Sequence, residues 1–294
     1  MEVINLKKGK KFRGHNFIEN FVRIFSVPLL NILPSFIIKR IMEITSIDSK
    51  TVVKYGGSSL AVEVMYSAQK RSFFSKGVLT GIADYFWHNY ISQSKAIRNR
   101  LDIVKENIEE ELVKIIERKQ KSVTLVTIGG GIARSITESV NRLFKNKPDF
   151  NIKIINIDNN KDALKLSKEF SKELNLSKNF EWINSDAQNL KFLIPENSID
   201  IVEIVGLLDY MEENNAINIL QQIYKVLKKN GCLIAANVYP NKESVFIHKT
   251  GWPKMYYRKP EIFLKLLELA NFSSQKIKIF KEPLNCHIVA IAKK

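Results

Sequence analysis

Three consecutive glycines interrupt the segment of residues 122–134, which reads SVTLVTIGGGIAR. The apolar and β-branched residues before the glycines are typical of a buried strand, and the small and apolar residues after them begin a helical pattern. Because glycine has no Cβ, the backbone can turn sharply here and a ligand can lie directly against it. The segment therefore predicts a strand, a ligand-binding turn and a helix, in that order.

Strands and helices alternate from residue 121 onward, which predicts βαβ units and a parallel sheet. The predicted strands lie at about 123–128, 152–157, 180–184, 199–205, 231–237, 275–280 and 286–292. The predicted helices lie at about 132–145, 160–173, 214–228 and 259–270. The connection between the last two strands is so short that it can form only an antiparallel hairpin.

The residues before 120 predict helices alone, because apolar residues recur there at a spacing of three to four. These helices are predicted at about 17–27, 34–46, 60–72, 78–92 and 95–119. We therefore expect two domains. Residues 1–120 would form a helical lid or substrate domain, and residues 121–294 would form the ligand-binding α/β domain.

The net charge of +16 is divided evenly, since residues 1–120 and residues 121–294 each carry an excess of eight positive charges. An even excess does not favour a dedicated nucleic-acid surface, although contact with nucleic acid stays an alternative. The first 13 residues are densely basic. We interpret them as a solvated tail, with membrane or RNA contact as the alternative.

The apolar residues 17–44 are interrupted by Pro28, Pro34 and several charged side chains. They lack the roughly 18 uninterrupted apolar residues that a membrane-spanning helix needs. Amphipathic helices that cover a core are predicted instead, with peripheral membrane contact through residues 1–44 as the alternative. Cys232 and Cys286 lie in apolar runs, no histidine or cysteine has metal-binding spacing, and no signal peptide is evident. We therefore expect a cytoplasmic protein without a metal.

Small or acidic residues follow the predicted strands, at the edge where an open α/β sheet binds its ligand. Asp158 ends the second strand and can accept hydrogen bonds from both hydroxyls of a ribose, or it can cap the helix that begins near residue 160. Asp186 follows the third strand and suits the amino group of an adenine, or it can cap a turn. Both residues predict a nucleotide-like cofactor.

Two other phosphate-binding motifs do not fit. The dinucleotide fingerprint G-x-G-x-x-G would need glycine at position 134, which is Arg134, and the spacing from Gly131 to Asp158 is longer than usual. The P-loop motif G-x-x-x-x-G-K-[ST] is absent from the sequence.

Residues 121–294 resemble class I S-adenosylmethionine-dependent methyltransferases. The resemblance rests on GGGIA after the first strand, Asp158, the pair Asp186-Ala187, the fourth strand IDIV and the passage KKNGCLIAAN. Thr127 stands where the family often has an acid. The stretches SQSKAIRNRL, GLLDYM and WPKMYYRKPE resemble a bacterial subgroup, some of which are linked to carboxyl methylation of fatty acids.

The resemblance implies a doubly wound sheet of seven strands in the order 3-2-1-4-5-7-6, with the last strand antiparallel, and S-adenosylmethionine as cofactor. The cofactor-binding residues would be Thr127, Gly129, Gly130, Gly131, Asp158, Asn159, Asp186, Ala187 and Gly206. We expect methyl transfer to a small-molecule acceptor, with a carboxylate or acyl compound as a candidate. RNA methylation and a non-catalytic, cofactor-binding relative are the alternatives.

The acceptor side is less defined, because no base motif such as N-P-P-Y occurs in the sequence. The absence of that motif argues against methylation of a nucleobase amino group. The candidate catalytic residues are Tyr210, His88 and Asp209, and His88 could instead be a structural histidine. The candidate acceptor-binding residues are Tyr210, Asn237, Tyr239, Tyr256, Tyr257 and Arg258. The aromatic members of this set could instead be ordinary packing on the sheet edge.

Overall fold

The computed structural model describes residues 2–67, 77–145 and 150–294, and it contains a sheet of eight strands with helices packed against it. The strands are β1 (Glu2–Asn5), β2 (Ser122–Ile128), β3 (Asn151–Asp158), β4 (Phe180–Asn184), β5 (Ile199–Ile204), β6 (Leu227–Val238), β7 (Ile277–Lys281) and β8 (His287–Lys293). The helices are α1 (Phe17–Ile32), α2 (Ser35–Thr45), α3 (Ile47–Lys54), α4 (Ser59–Ser67), α5 (Val78–Asn89), α6 (Ser92–Glu117), α7 (Arg134–Phe144), α8 (Lys161–Glu173), α9 (Leu190–Leu193), α10 (Glu213–Val226), α11 (Ser244–Lys249) and α12 (Pro260–Leu269).

The strands lie in the order β1-β7-β8-β6-β5-β2-β3-β4 across the sheet. Strand β8 is antiparallel to both of its neighbours, and the other strand pairs are parallel. If the seven predicted strands are numbered along the chain, this is the order 3-2-1-4-5-7-6. The predicted α/β class and doubly wound sheet are therefore confirmed.

The sheet has one strand more than the seven predicted, because β1 pairs with the outer strand β7. The outer strand of a hairpin leaves a row of unpaired N–H and C=O groups, and a short extended segment can satisfy them. Among the described residues before 121, the regular structure is helical except for this strand. Four residues are too few to show a periodic pattern, so the sequence did not predict it.

Apolar side chains alternate between the two faces of the sheet, as the two-residue repeat of a strand requires. In β6, Leu233 packs on the face that α10 and α12 cover, whereas Ile234 packs on the face that α6 and α7 cover. Helix α6 contributes Ile108 and Leu112 to the second face. It therefore belongs to the core of the sheet, although it precedes residue 121.

A third apolar cluster joins the N-terminal helices to the loops at one edge of the sheet. It contains Ile38 of α2, Trp87 of α5 and Phe246 of α11. Helices α3 and α11 were not predicted, because their length gives little periodicity. The helix predicted at 60–72 is present as α4 up to Ser67, and the rest of that prediction lies outside the described residues. Among the helices that the structure describes, none has the length and apolar character needed to cross a bilayer.

Candidate active site

A cleft of about 410 Å³ opens where β2, β3 and β5 end. This is the edge at which a parallel α/β sheet binds its ligand, and the volume lies in the range of small-molecule sites, about 300–1,000 Å³. The structure brings the nine predicted cofactor-binding residues together on its wall. They are Thr127, Gly129, Gly130, Gly131, Asp158, Asn159, Asp186, Ala187 and Gly206.

The glycine loop after β2 has a backbone that other residues would strain. Gly129 and Gly131 have φ angles of +61° and +53°, in the left-handed region. A Cβ at Gly130 would lie 2.4 Å from Oγ1 of Thr127 and 2.8 Å from Oδ1 of Asn156. The loop therefore presents bare backbone to the cleft, and the middle glycine also packs tightly on the strands beneath it.

The carboxylate of Asp158 is held in place by two backbone N–H groups. Its Oδ2 accepts from Gly131 at 2.8 Å and its Oδ1 accepts from Asn160 at 2.8 Å. The helix cap that was the alternative for Asp158 is Asn160, whose side chain accepts from the first turn of α8. Each carboxylate oxygen has two lone pairs, so Asp158 keeps acceptor capacity at the cleft.

Asp186 caps a turn, which was the alternative to its predicted contact with an adenine, and that contact stays a prediction. It lies on the cleft wall, and its Oδ1 also accepts the N–H of Gln188 at 2.8 Å, which caps the short 3-10 turn Ala187–Asn189. Gly206, at the end of β5, has a φ of +90°. A Cβ there would lie 3.9 Å from both terminal nitrogens of Arg100.

Glu203 was not predicted as a site residue, and it lies on β5 directly beside Thr127 in the register of the sheet. The side chain is buried on the cleft wall and accepts the hydroxyl of Ser135. Burial raises the pKa of Glu203, although hydrogen bonds from Ser135 and Thr127 oppose the shift. A carboxylate is thus present beside the position where the family often has an acid, on the neighbouring strand. A charged residue inside the apolar strand IDIVEI was the available signal.

Arg100 of α6 also lies on the cleft wall and was not predicted. Its Nη1 is 3.8 Å from Oδ2 of Asp209, both side chains are buried, and its Nε has no hydrogen-bond partner. Asp209 accepts the N–H of Val238 at 2.8 Å, and its burial raises the pKa of the carboxyl group. Burial likewise raises the pKa of the Tyr210 phenol, which lines the same wall.

The N-terminal region closes one side of the cleft. The segment Gly56–Ser59 runs over the glycine loop, where a Cβ at Gly131 would lie 2.7 Å from Cβ of Ser59. A Cβ at Gly57 would lie 2.7 Å from Pro253 and 3.5 Å from the hydroxyl of Tyr210. The cleft therefore lies between the sheet and residues that precede α6.

Five predicted acceptor-binding residues lie outside the cleft wall. Arg258 is buried and donates to the carbonyls of Leu208 and Met211 and to Oδ1 of Asn237. These bonds fix the loop after β5 from a side that does not face the cleft. The remaining three are aromatic: the hydroxyl of Tyr256 donates to Glu212, Tyr239 lies under Lys281, and Tyr257 packs in the third apolar cluster.

His88 lies away from the cleft, buried in α5, where its Nε2 is 2.9 Å from Oδ2 of Asp48. This pair lines a separate cavity of about 40 Å³. His287, which was not predicted to function, lies on the cleft wall and is buried, and burial lowers its pKa well below 6.5. In the described part of the chain, no group of three histidine, cysteine or acidic residues could hold a metal ion.

Comparison with known proteins identifies the family. A family model described as a methyltransferase domain matches residues 102–279, more than half of the chain. The chain belongs to this family of methyltransferase domains. It is an enzyme that uses S-adenosylmethionine as its methyl donor. A search of curated proteins found no match.

Solved structures share the fold at low sequence identity. A possible exported protein from Bordetella parapertussis is 14% identical, with a TM-score of 0.64 over 82% of this chain and 80% of that protein. A geranyl diphosphate methyltransferase, determined with geranyl diphosphate and sinefungin, is 11% identical, with a TM-score of 0.51 over 68% of this chain and 81% of that one. Both matches show that the fold is shared, and the second structure is that of a methyltransferase.

The cleft fits S-adenosylmethionine in shape and in charge. The glycine loop places backbone rather than side chains on the cleft wall, and Asp158 offers acceptors for hydroxyl groups. Arg100 and Glu203 place a buried guanidinium and a buried carboxyl group on the same wall. The guanidinium suits the carboxylate of the cofactor's methionine portion, and the carboxyl group suits its amino group. When bound, the cofactor supplies an electrophilic methyl group on a sulfonium.

Proposed function

We propose that this enzyme transfers a methyl group to a small acceptor that has an apolar body and a carboxylate or acyl group. The observation that carries the proposal is a cofactor cleft that adjoins a second, apolar cavity. The two cavities share Gln93 and Trp252 in their walls. A cofactor bound along the glycine loop would therefore leave the Gln93 and Trp252 side free for an acceptor.

The cofactor would be held by groups that already have fixed positions. We assign its ribose hydroxyls to Asp158, its adenine to Asp186 and Ala187, and its methionine portion to Arg100 and Glu203. Two charge-assisted hydrogen bonds to Asp158 would contribute about 1.5–3 kcal/mol each. Orienting the acceptor in line with the methyl group can lower the activation barrier of methyl transfer by roughly 7–11 kcal/mol. The main task of these residues is therefore to hold the cofactor in the orientation that the reaction needs.

The second cavity supports an apolar acceptor. Its walls are mainly apolar side chains from the N-terminal helices and from α11, and they include Met42, Val52, Met65, Trp87, Ile91, Phe246 and Ile247. Its volume of about 40 Å³ admits only the end of a hydrocarbon chain without rearrangement. We therefore propose that the N-terminal helices act as the lid and acceptor-binding region.

The titrating groups on the cleft wall support an acceptor that carries no proton at the reacting atom. Tyr210 stays protonated because its pKa is raised, and Asp209 is engaged by the N–H of Val238 and lies near Arg100. His287 is a weak base, because its pKa is far below neutral pH. A carboxylate is already deprotonated and needs no base, so its oxygen can attack the methyl group directly.

The test is turnover with a series of free carboxylic acids of increasing chain length. We expect a methyl ester and S-adenosylhomocysteine in equal amounts, and a kcat/KM that stays flat between neutral and mildly alkaline pH. Val52→Phe should fill part of the second cavity and raise KM for long acids while leaving cofactor affinity unchanged. A rate that rises tenfold per pH unit would instead indicate a protonated acceptor and a titrating base.

RNA methylation is the alternative that the basic composition suggests. The segment Gly56–Ser59 covers one side of the cleft, which favours a small molecule over a polynucleotide. If RNA were the substrate, its affinity would fall steeply between roughly 50 and 200 mM salt. A salt-independent, weak affinity for RNA removes this alternative, whereas retained cofactor binding with no turnover on any acid would favour a non-catalytic role.

We infer that this enzyme is bacterial and that it lies in the cytoplasm. Cys232 and Cys286 are both free and buried, and proteins with free thiols and no disulfides are usual in a reducing compartment. Burial raises the pKa of the Cys232 thiol to about 12, so this thiol is inert.

A further inference from the structure

The exposed apolar side chains of this protein are concentrated in the N-terminal helices. Of the 21 large apolar side chains that are exposed among the described residues, 16 lie between residues 17 and 85. A soluble protein exposes scattered apolar side chains, but a concentration of this kind marks a surface that meets another apolar phase. The remaining five are spread over the rest of the chain.

Helix α1 carries the densest part of this surface. Phe17, Phe21, Phe25, Leu29 and Ile32 recur at a spacing of three to four and are each more than half exposed, so they lie on one side of the helix. The charged residues of the helix avoid that side. Glu19 is buried against Lys95, and Arg23 is partly buried and pairs with Glu243.

Two neighbouring helices extend the apolar surface. Phe36 and Ile44 of α2 are exposed, as are Leu79 and Ile82 of α5, and α2 and α5 pack together. We call the exposed apolar side chains of α1, α2 and α5 the apolar face. The opposite sides of these helices already pack on the protein, because they contribute to the third apolar cluster.

The charges around the apolar face are mostly positive. Between residues 17 and 54, the exposed basic side chains are Arg40, Lys50 and Lys54, and Glu43 is the exposed acidic one. The other acids of this stretch, Glu19 and Asp48, are buried against Lys95 and His88. Basic residues beside an apolar helix side match the anionic headgroups that lie above acyl chains.

We propose that the apolar face docks on the surface of an anionic lipid bilayer. In that position α1 would lie in the plane of the interface, with its aromatic side chains about 5–10 Å deep. A second copy of the chain would bring the same positive charges against themselves, which disfavours self-association through this face. The inference does not rest on the proposed methyl acceptor.

The test is flotation of the full chain with vesicles of phosphatidylcholine alone and with about 30% phosphatidylglycerol. We expect binding to the anionic vesicles that weakens at high salt. The variant Phe17→Ser/Phe21→Ser/Phe25→Ser should reduce the partition coefficient at least tenfold. The pair Arg40→Glu/Lys50→Glu should reduce it at least tenfold on anionic vesicles and little on neutral ones.

Matched controls come from exposed residues outside the apolar face. Phe192→Ser removes an exposed aromatic residue that lies outside the apolar face, and Lys165→Glu/Lys172→Glu makes the same charge change on α8. These variants should bind vesicles as the unaltered chain does, and every variant should keep its affinity for S-adenosylmethionine. Equal flotation of the phenylalanine variant, or a dimer that this variant dissolves without any lipid binding, would overturn the proposal.

Discussion

At the scale of single residues, Asp158 has two tasks, since it holds the N–H of Gly131 and keeps free acceptor capacity at the cleft. Asp158→Ala should raise the dissociation constant for S-adenosylmethionine at least tenfold, because two charge-assisted bonds of about 1.5–3 kcal/mol each would be lost. Isothermal titration measures this. Asp162→Ala, an exposed residue in the first turn of α8, should leave the affinity unchanged. An unaltered affinity in Asp158→Ala would assign the ribose to other residues.

A second residue, His15, predicts how stability depends on pH. Its Nε2 is 3.0 Å from Oγ of Ser92, and burial, together with Arg23 and Lys95, lowers its pKa from 6.5 to about 4 against the opposing effect of Glu19. Between pH 6.5 and about pH 4, His15 is protonated in the unfolded chain and neutral in the folded chain. This contribution to stability is therefore complete above pH 6.5 and is lost as the pH falls toward 4.

The measurement is urea unfolding at pH 7.5 and at pH 5. The free energy of unfolding of the unaltered chain should include a loss of about 2 kcal/mol from His15 at the lower pH. His15→Gln should remove that part of the pH dependence. His248→Gln, at an exposed position, should not alter it, and identical pH profiles for all three chains would contradict the assignment.

At the scale of elements, Glu243 connects three segments that are far apart in the sequence. It is buried and accepts the N–H groups of Ser92 and Gln93 at 2.9 and 3.1 Å, and it also pairs with Arg23 of α1. Helix α6 has no side-chain cap of its own, so this carboxylate satisfies the free donors of its first turn and matches its dipole.

Glu243→Ala should therefore lower the free energy of unfolding by about 3–5 kcal/mol, since it leaves buried donors and a guanidinium without a partner. Glu243→Gln keeps an acceptor and should cost less. Urea unfolding measures both, and Glu196→Ala at an exposed site serves as the control. A loss below about 1 kcal/mol in Glu243→Ala would show that water replaces the cap.

At the scale of the whole molecule, α6 ties the two expected domains together. Its Ile103, Ile108 and Leu112 lie in the same apolar cluster as Leu125 of β2 and Ile136 of α7. We propose that the folding unit of the sheet includes α6 and that the lid comprises the residues before it.

A chain that begins at residue 121 should therefore lack a cooperative urea transition, whereas a chain that begins at residue 92 should retain one. Near-ultraviolet circular dichroism during urea titration measures this. Cooperative unfolding of both shortened chains would support the boundary at residue 120 instead.

Local patterns in the sequence predicted the strands, the glycine turn and the acids at the strand ends, and the family resemblance predicted the order of the sheet. The alternation of strands and helices, the glycine turn and the acids after β3 and β4 depend on neighbours within a few residues. Once the strands lie parallel, their carboxyl ends meet at one edge. Local patterns therefore predicted the glycine turn, Asp158 and Asp186 at one edge, and the family resemblance completed the nine residues that line the cleft.

Other parts of the cleft could not be predicted, because they depend on contacts between distant segments. Only the tertiary structure puts Glu203 beside Thr127, Arg100 against Gly206 and the segment Gly56–Ser59 over the glycine loop. It also turns Arg258 toward buried carbonyls and His88 toward Asp48. A sequence determines which groups are available and how the chain is locally shaped. Which of them share a wall follows from packing between segments that are far apart along the chain, and no local pattern records it.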